Sequence, residues 1–271
     1  MNFGLIIIGD EILSGKRQDK HLPKVIELLA ERGLSLSWVR YVGDEPDRIT
    51  ADLQHAFATG DVVFSCGGIG ATPDDHTRQC AARALGVDLA LHAEARDLIF
   101  ERMRETAVEQ GMPYEPDRAD NQHRLNMAVF PVGAAIIPNP FNKIAGFSLP
   151  SNQLGEGGVY FVPGFPVMAW PMVAWVLDHR YAHLKRALTN SEKSVIVFGA
   201  MEAALTPLME AIEANFSGVK VFSLPSVDHP QWGKHIELGV KGEAALLDSA
   251  YMALLQGLRE HGAELGPELV R

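Results

Sequence analysis

Apolar and polar positions in the first part of the chain follow two alternating periods. Short apolar runs at residues 1–9, 34–42 and 61–66 predict buried strands. Between these runs, apolar residues recur every three or four positions over residues 22–29 and 49–57, which is the spacing of amphipathic helices. Alternation of short apolar strands with helices predicts parallel strand pairing and helices on both faces of the sheet.

The same pattern continues to about residue 181. Further helices are predicted at residues 78–85, at 93–110 and from Pro166 onward, a loop at 111–121, and strands at 134–138, 144–150 and 159–163. The glycine-rich residues 155–158 are expected to join the last two of these strands in a hairpin. This order predicts an α/β fold with a three-layer, mostly parallel sheet.

Residues 182–193 are polar and lack a clear apolar pattern, so the sequence predicts two domains, 1–181 and 190–271. In the second domain we expect strands at 194–198, 219–224 and 235–240 and helices at 200–216 and 243–261. This β-α-β-β-α order predicts a small α+β module of ferredoxin-like order, with its last strand short or absent.

Composition indicates what class of protein this is and which partners are disfavoured. The chain has 271 residues, of which 47% are hydrophobic and 21% charged, as in a globular protein with an ample core. Its formal net charge of −10 disfavours nucleic acid or an anionic membrane as the main partner. An anionic small molecule, such as a small-molecule phosphate ester, could still bind through local groups. The apolar start is too short to span a membrane, and two cysteines give no disulfide framework. We therefore expect a cytoplasmic protein.

The densest candidate site is the turn at residues 65–77, between the third predicted strand and its helix. Its candidate binding residues are Gly67, Gly68, Gly70, Thr72, Asp74, Asp75 and Thr77. A glycine-rich turn at the start of a helix leaves backbone N–H groups unpaired, and such groups bind anions. The two carboxylates would repel a phosphate, so either a cation bridges them, or they face an uncharged part of the ligand, or they only cap the helix.

Polar residues also follow the other two predicted strands. Gly9, Asp10 and Glu11 follow the first strand, and Asp44 follows the second, where it could equally cap the next helix. Ligands of parallel sheets bind beyond the carboxyl ends of the strands. We therefore expect the loops that carry Glu11, Asp44 and Asp75 to meet around one ligand.

Two later loops are weaker candidates. Asn139 and Lys143 could place an amide and an ammonium group near a phosphate, or could form an ordinary polar turn. Gly164 lies in a Pro-Gly-Phe-Pro segment that brings a helix N-terminus to the ligand or only redirects the chain. The histidines show no metal-ligand spacing, and we expect no zinc site.

Together these motifs resemble the MoaB/Mog-like molybdopterin-binding fold, and within it the CinA-like (competence/damage-inducible) branch. The matching segments are GDEILSG at residues 9–15, Asp44, GGIGATPDDHT at 67–77, Asn139-Pro140 and VPGFP at 162–166. The resemblance covers about residues 3–177, and residues 194–261 are similar to the smaller module that follows this fold in CinA-like proteins. The amidase domain that ends full-length CinA proteins has no room here, so its activity is not expected.

The resemblance implies roles for two carboxylates. In the molybdopterin-adenylating members of the fold, an Asp after the second strand and an Asp in the glycine turn serve substrate and metal. By motif position these are Asp44 and Asp75, which we expect to be catalytic and to bind a divalent metal such as Mg²⁺. The CinA-like branch is associated with a metal-dependent ADP-ribose pyrophosphatase activity, and the family generally forms homo-oligomers.

The sequence departs from the family pattern at three places. Ala71 replaces the proline of the Gly-Pro-Thr turn, residues 142–146 read NKIAG where the family usually has GTAPG, and His21 stands where an Asn is usual. Loss of the first glycine of that segment removes backbone freedom at the expected ligand wall, where Lys143 would supply a point charge instead. We expect the pocket of the family to be present in this chain, although its ligand or activity could differ from that of the family.

The resemblance therefore predicts a molybdopterin- or nucleotide-phosphate-binding protein of CinA-like type. We expect a divalent-metal-dependent pyrophosphatase that acts on ADP-ribose or a similar nucleotide diphosphate. The alternative is a non-catalytic molybdopterin- or nucleotide-binding module, or a protein of molybdenum-cofactor biosynthesis.

Overall fold

The computed structural model describes residues 1–151, 157–185 and 190–270. The chain divides into two compact units, Met1–Lys185 and Arg186–Arg271. Among the residues described, no helix has the length and apolar character needed to cross a membrane.

The first unit contains eight described strands and seven described α-helices. The strands are β1 (Phe3–Ile8), β2 (Trp38–Val42), β3 (Val62–Cys66), β4 (Leu89–Leu91), β5 (Val129–Pro131), β6 (Ala135–Ile137), β7 (Gly146–Pro150) and β8 (Gly158–Val162). The helices are α1 (Asp10–Leu13), α2 (His21–Ala30), α3 (Pro46–Thr59), α4 (Thr77–Leu85), α5 (Ala93–Glu109), α6 (Ala119–Arg124) and α7 (Pro166–Arg180).

Six of these strands form one sheet in the order β2-β1-β3-β8-β7-β6. The pairs among β2, β1, β3 and β8 are parallel, whereas β7 runs antiparallel to both of its neighbours. Because alternate side chains of a strand point to opposite faces, Leu5 and Ile7 pack with α2 and α7, while Ile6 and Ile8 pack with α3, α4 and α5. The predicted three-layer α/β class is confirmed.

Some short elements differ from the sequence prediction. Strands β4 and β5 form a separate two-stranded antiparallel sheet that was not predicted, because three residues are too few to show a strand period. The helix α6 begins inside the predicted loop at residues 111–121. The predicted antiparallel pairing of β7 with β8 is confirmed. The connecting residues 152–156 lie outside the described chain.

The second unit consists of β9 (Asn190–Phe198), α8 (Glu202–Asn215), β10 (Lys220–His229), β11 (Gly233–Glu243), α9 (Ala244–Glu260) and β12 (Glu264–Val270). Its sheet has the order β10-β11-β9-β12 with antiparallel pairs throughout, the order of a ferredoxin-like module. Alternate residues of β9 and β11, such as Val195, Val197 and Leu238, pack against Leu205 of α8 and Leu254 of α9.

The expectation that the last strand is short or absent was wrong. Strand β12 has seven residues and pairs with β9 on both sides of a register shift between Leu265 and Glu268. Gly266 and Pro267 occupy this shift, and both residue types are unfavourable within a regular strand. They therefore hid the strand from a pattern-based prediction.

The turn after β3 places a specific demand on Gly67. This residue has a φ of 108°, and a Cβ atom there would lie 2.4 Å from the carbonyl oxygen of Ile8. The obstacle is backbone of the neighbouring strand, which cannot move without disturbing the sheet. We expect Gly67→Ala to lower the free energy of unfolding by about 2–4 kcal/mol in urea denaturation.

Gly164 supplies a matched control for this experiment. A Cβ atom at Gly164 would make an ordinary 3.5 Å contact with the Cα of Gly67. Gly164→Ala should therefore change the unfolding free energy by less than about 1 kcal/mol. Equal losses in the two variants would contradict the assigned role of Gly67.

Candidate functional site

A cavity of about 410 Å³ lies at the carboxyl ends of the parallel strands of the first unit. Of the residues expected to form the site, ten line this cavity: Gly9, Glu11, Asp44, Gly67, Gly68, Gly70, Thr72, Asp74, Asp75 and Gly164. The loops after β1, β2, β3 and β8 thus converge on one space. Glu11, Asp44 and Asp75 therefore line the same cavity, as the sequence predicted.

Two aspartates lock the first two of these loops together. The backbone N–H of Asp10 donates to Oδ2 of Asp44 at 2.9 Å, and the backbone N–H of Asp44 donates to Oδ1 of Asp10 at 3.2 Å. Asp10 is exposed and does not line the cavity, so its contribution is to hold the Asp44 loop in place.

Asp44 lies among other carboxylates. Burial raises the pKa of Asp44, and the negative charges of Asp10, Glu11 and Asp74 raise it further, against the hydrogen bond from the Asp10 backbone. Burial and the neighbouring charges disfavour the ionised form of Asp44, whereas the hydrogen bond favours it. The rim of the cavity therefore concentrates negative charge that a bound cation would neutralise.

The glycine turn is held by its own side chains. Thr77 is buried, its Oγ1 donates to the carbonyl of Gly67 at 3.1 Å, and its backbone N–H donates to the carbonyl of Gly68 at 3.0 Å. Oδ2 of Asp75 accepts from the backbone N–H of Thr72 at 2.8 Å and from its hydroxyl at 2.5 Å. The turn is thereby fixed before any ligand binds.

The amides of the turn are not all available to a ligand. The N–H of Gly67 donates to the carbonyl of Val162 in the sheet. The N–H groups of Gly68 and Gly70 donate to no acceptor among the described residues. A phosphate in the cavity would therefore be held by Gly68 and Gly70, and not by the amide of Gly67.

Close packing within the turn explains why two of its positions require glycine. A Cβ atom on Gly68, whose φ is 67°, would lie 2.1 Å from Oγ1 of Thr77, and one on Gly70 would lie 2.5 Å from Oδ2 of Asp75. Glycines in such a turn can also let the backbone approach a ligand without an obstructing Cβ atom. In the structure they make room for Thr77 and Asp75.

Below the turn lies a buried cation that the sequence analysis missed. Arg78, only 4% exposed, donates from Nη2 to the carbonyl of Gly70 at 2.7 Å. Burial lowers the pKa of Arg78, and the nearby charge of Asp75 opposes that shift. The sequence signal was present, because Arg78 directly follows the motif in the first turn of α4.

The expectation for Lys143 needs correction. Its Nζ forms ion pairs with Glu101 at 2.7 Å and with Glu105, both on α5, and Lys143 does not line the cavity. The positive φ of 63° at Lys143 turns the chain at this point. A lysine held by two carboxylates is a poor phosphate ligand, so the expected point charge is absent from this wall.

Asn139 also acts on the loop and not on the cavity. Its buried side chain donates to Oδ1 of Asn142 at 2.8 Å and to the carbonyl of Ile144 at 2.9 Å. Asn142, Ile144 and Ala145 are the residues of this segment that line the cavity. Asn139 therefore shapes the wall that those three residues form.

Arg17 is the cation that does line the cavity. It lies in the segment after α1, where its backbone N–H donates to the carbonyl of Glu11 at 2.9 Å. Nothing in its spacing marked it as a site residue. Apolar residues also line the cavity, among them Met127, Ile144 and Met168.

The acidic residues do not form a ready-made metal centre. Within the described chain, no group of three or more His, Cys, Asp or Glu side chains is placed to hold a metal ion. Mg²⁺ is commonly bound by one or two carboxylates together with substrate phosphates and water. The residues present fit that second kind of site, with Asp44 as the carboxylate most in need of a counter-charge.

The raised pKa of Asp44 has a consequence for stability. A carboxyl group whose pKa is raised on folding opposes folding wherever it is ionised, and that cost disappears below its unfolded pKa of about 4. Asp44→Asn keeps an oxygen acceptor for the Asp10 N–H. We expect this substitution to raise the free energy of unfolding at pH 7 by up to about 1 kcal/mol, seen as a higher melting temperature. At pH 3.5 we expect no such increase.

Calorimetry at several pH values would measure this effect. Asp88→Asn is the control, because Asp88 is exposed and lies outside the cavity. A lower melting temperature for Asp44→Asn at pH 7 would show that the carboxylate stabilises the apo-protein.

Comparison with known proteins agrees with this geometry. The model of the family described as "Probable molybdopterin binding domain" matches residues 4–185. A CinA-like protein of Anaeromyxobacter sp. (strain K) is 33% identical over 185 residues, which cover 68% of this chain and 42% of that protein. A CinA-like protein of Geobacter metallireducens is 31% identical over 227 residues, covering 82% of this chain and 51% of that protein, so its match reaches into the second unit.

A solved structure supports the same relationship. The protein CinA from Thermoplasma acidophilum superposes with a TM-score of 0.54 at 25% identity, covering 66% of this chain and 99% of that chain. The chain spans about half the length of the curated relatives it matches. Since the family match extends over more than half of its residues, the chain belongs to the family of probable molybdopterin-binding domains and is similar to CinA-like proteins.

Proposed function

We propose that the first unit binds a phosphorylated small molecule with a ring system, a nucleotide diphosphate or a pterin phosphate. We further propose that it hydrolyses the pyrophosphate bond of a nucleotide diphosphate such as ADP-ribose with the help of a divalent cation. The observation that carries this proposal is the convergence of Asp44, Asp75 and the free amides of Gly68 and Gly70 on one cavity.

The cavity lining contains both apolar and polar groups, which suit the two ends of such a ligand. Met127, Ile144 and Met168 offer an apolar surface on which a heterocyclic ring can lie. Elsewhere in the lining, Arg17 and the amides of the glycine turn offer donors to phosphate oxygens. Small-molecule sites commonly combine an apolar lining with a few placed polar groups.

A divalent cation would be held by Asp44 together with phosphate oxygens of the ligand, with Asp75 as the second protein carboxylate. When bound, such an ion offsets the charge that builds up as water attacks phosphorus. Glu11 adds negative charge that favours a cation at this rim. The molybdopterin-binding family makes a pterin phosphate the other ligand class for the same groups.

In this proposal, Asp75 orients the attacking water. Its Oδ2 accepts two hydrogen bonds from Thr72, which fix the carboxylate plane and leave Oδ1 to accept from water. The amides of Gly68 and Gly70 hold the phosphate oxygens still while the P–O bond breaks. The expected products of ADP-ribose are AMP and ribose 5-phosphate.

Hydrolysis of ADP-ribose by the purified chain tests this function directly. We expect AMP to be released in the presence of Mg²⁺, Mn²⁺ or Co²⁺ and not in EDTA, as measured by chromatography. Asp75→Asn and Asp44→Asn should each lower the rate by about 100-fold or more, because each removes a charge at the reacting centre. Asp88→Asn should retain the wild-type rate, and full activity of both site variants would rule out their assigned roles.

A second candidate function is binding without turnover. It is favoured by the absence of a three-ligand metal cluster among the described residues and by the engagement of Lys143 with α5. In that case the chain would be a molybdopterin- or nucleotide-binding module, or a protein of molybdenum-cofactor biosynthesis. Saturable ligand binding in calorimetry with no AMP release under any cation would support this alternative.

Two further properties are part of the proposal. We expect a homo-oligomer, which light scattering of the purified chain would detect. A reducing cytoplasm suits Cys66 and Cys80, both of which are buried and unbonded.

A further inference from the structure

A second cavity, of about 350 Å³, adjoins the one described above. Five residues line both: Ile8, Glu11, Arg17, Gly164 and Phe165. We call the second one the side cavity. Residues that line only the side cavity include Ile7, Ile12, Lys20, His21, Cys66 and Pro166.

The two cavities differ in charge. Four carboxylates and one cation line the main cavity: Glu11, Asp44, Asp74, Asp75 and Arg17. The side cavity has two cations, Arg17 and Lys20, and the single carboxylate of Glu11. Neither cation forms an ion pair within the described part of the chain.

The segment that carries these cations is anchored. Asp19, which lies between them, accepts hydrogen bonds from the backbone N–H groups of His21 at 2.8 Å and Leu22 at 3.1 Å and from the Tyr41 hydroxyl at 2.9 Å. These donors occupy both oxygens of Asp19, whose carboxylate is not bonded to Lys20. The two cations therefore project from a fixed loop.

His21 connects the side cavity to the shared wall. It is 5% exposed, and its Nε2 lies 3.0 Å from the carbonyl oxygen of Gly164. A carbonyl can only accept, so Nε2 carries a proton and donates it. His21 thereby fixes Gly164, which borders both cavities, and one ligand can extend from the main cavity into the side cavity.

We propose that the side cavity is a second anion-binding subsite. It accepts a phosphate or carboxylate group carried at the far end of the ligand, between Arg17 and Lys20. The ligand class is thus a nucleotide diphosphate whose second half bears its own negative charge. This subsite rests on the proposed function for the nucleotide half of the ligand.

Two nucleotide sugars that differ only in one charge test this subsite. ADP-glucuronate carries a carboxylate on its distal sugar where ADP-glucose has a hydroxymethyl group. We expect ADP-glucuronate to bind about tenfold more tightly in calorimetry, roughly the effect of one partly exposed charge-assisted hydrogen bond. Mg²⁺ is present throughout, and chromatography after each titration verifies that the nucleotide is intact. Without the subsite, the extra charge should weaken binding to a chain of net charge −10.

Lys20→Gln should abolish this preference, because it removes the cation that lines the side cavity alone. Affinity for ADP-glucose should stay within about twofold of wild type, since Lys20 does not line the main cavity. Lys16→Gln is the matched control: Lys16 is an exposed lysine of the same segment that lines neither cavity. It should keep the full preference.

Inorganic phosphate provides a readout that does not depend on the nucleotide. It should raise the melting temperature of wild type and of Lys16→Gln by more than that of Lys20→Gln. If this holds while neither nucleotide sugar binds, the subsite stands and the nucleotide part of the proposed function fails. If ADP-ribose is hydrolysed but Lys20→Gln keeps the wild-type preference, or wild type shows none, the function stands and the subsite is wrong.

Discussion

The site depends on the parallel pairing of β1 with both β2 and β3. Parallel neighbours lie about 4.8 Å apart and end at the same edge of the sheet, so three separate loops must leave the sheet side by side. At the ends of β1 and β3 the two chains lie so close that a Cβ atom on Gly67 would be 2.4 Å from the carbonyl oxygen of Ile8. The carboxylates of three different segments share one cavity because their strands share one edge.

The proximity of these carboxylates to one another opposes folding. Burial and neighbouring negative charges raise the pKa of Asp44, which means that folding brings these carboxylates together against their mutual repulsion. Groups that oppose folding in this way are typical of binding sites. In the proposed function, a bound cation would offset this repulsion.

The sequence was most informative where a local motif follows a predicted parallel strand, because ligands bind beyond the carboxyl ends of such strands. The strand–turn–helix pattern at residues 65–77 and the short apolar strands were enough to predict the sheet and to bring Glu11, Asp44 and Asp75 together. Lys143 was misjudged because its partners, Glu101 and Glu105, lie about forty positions away along the chain. Arg17 had no motif at all, and only the folded loop shows where it lies.

The two edge strands of the sheet in the second unit affect whether this sheet can pair with a strand of another molecule. Both outer strands, β10 and β12, contain a proline and a register shift, with Pro225 in one and Pro267 in the other. An edge strand lacking an N–H at one position and kinked at another is a poor template for a foreign strand. Pairing of either edge strand with a strand of a second molecule is therefore disfavoured.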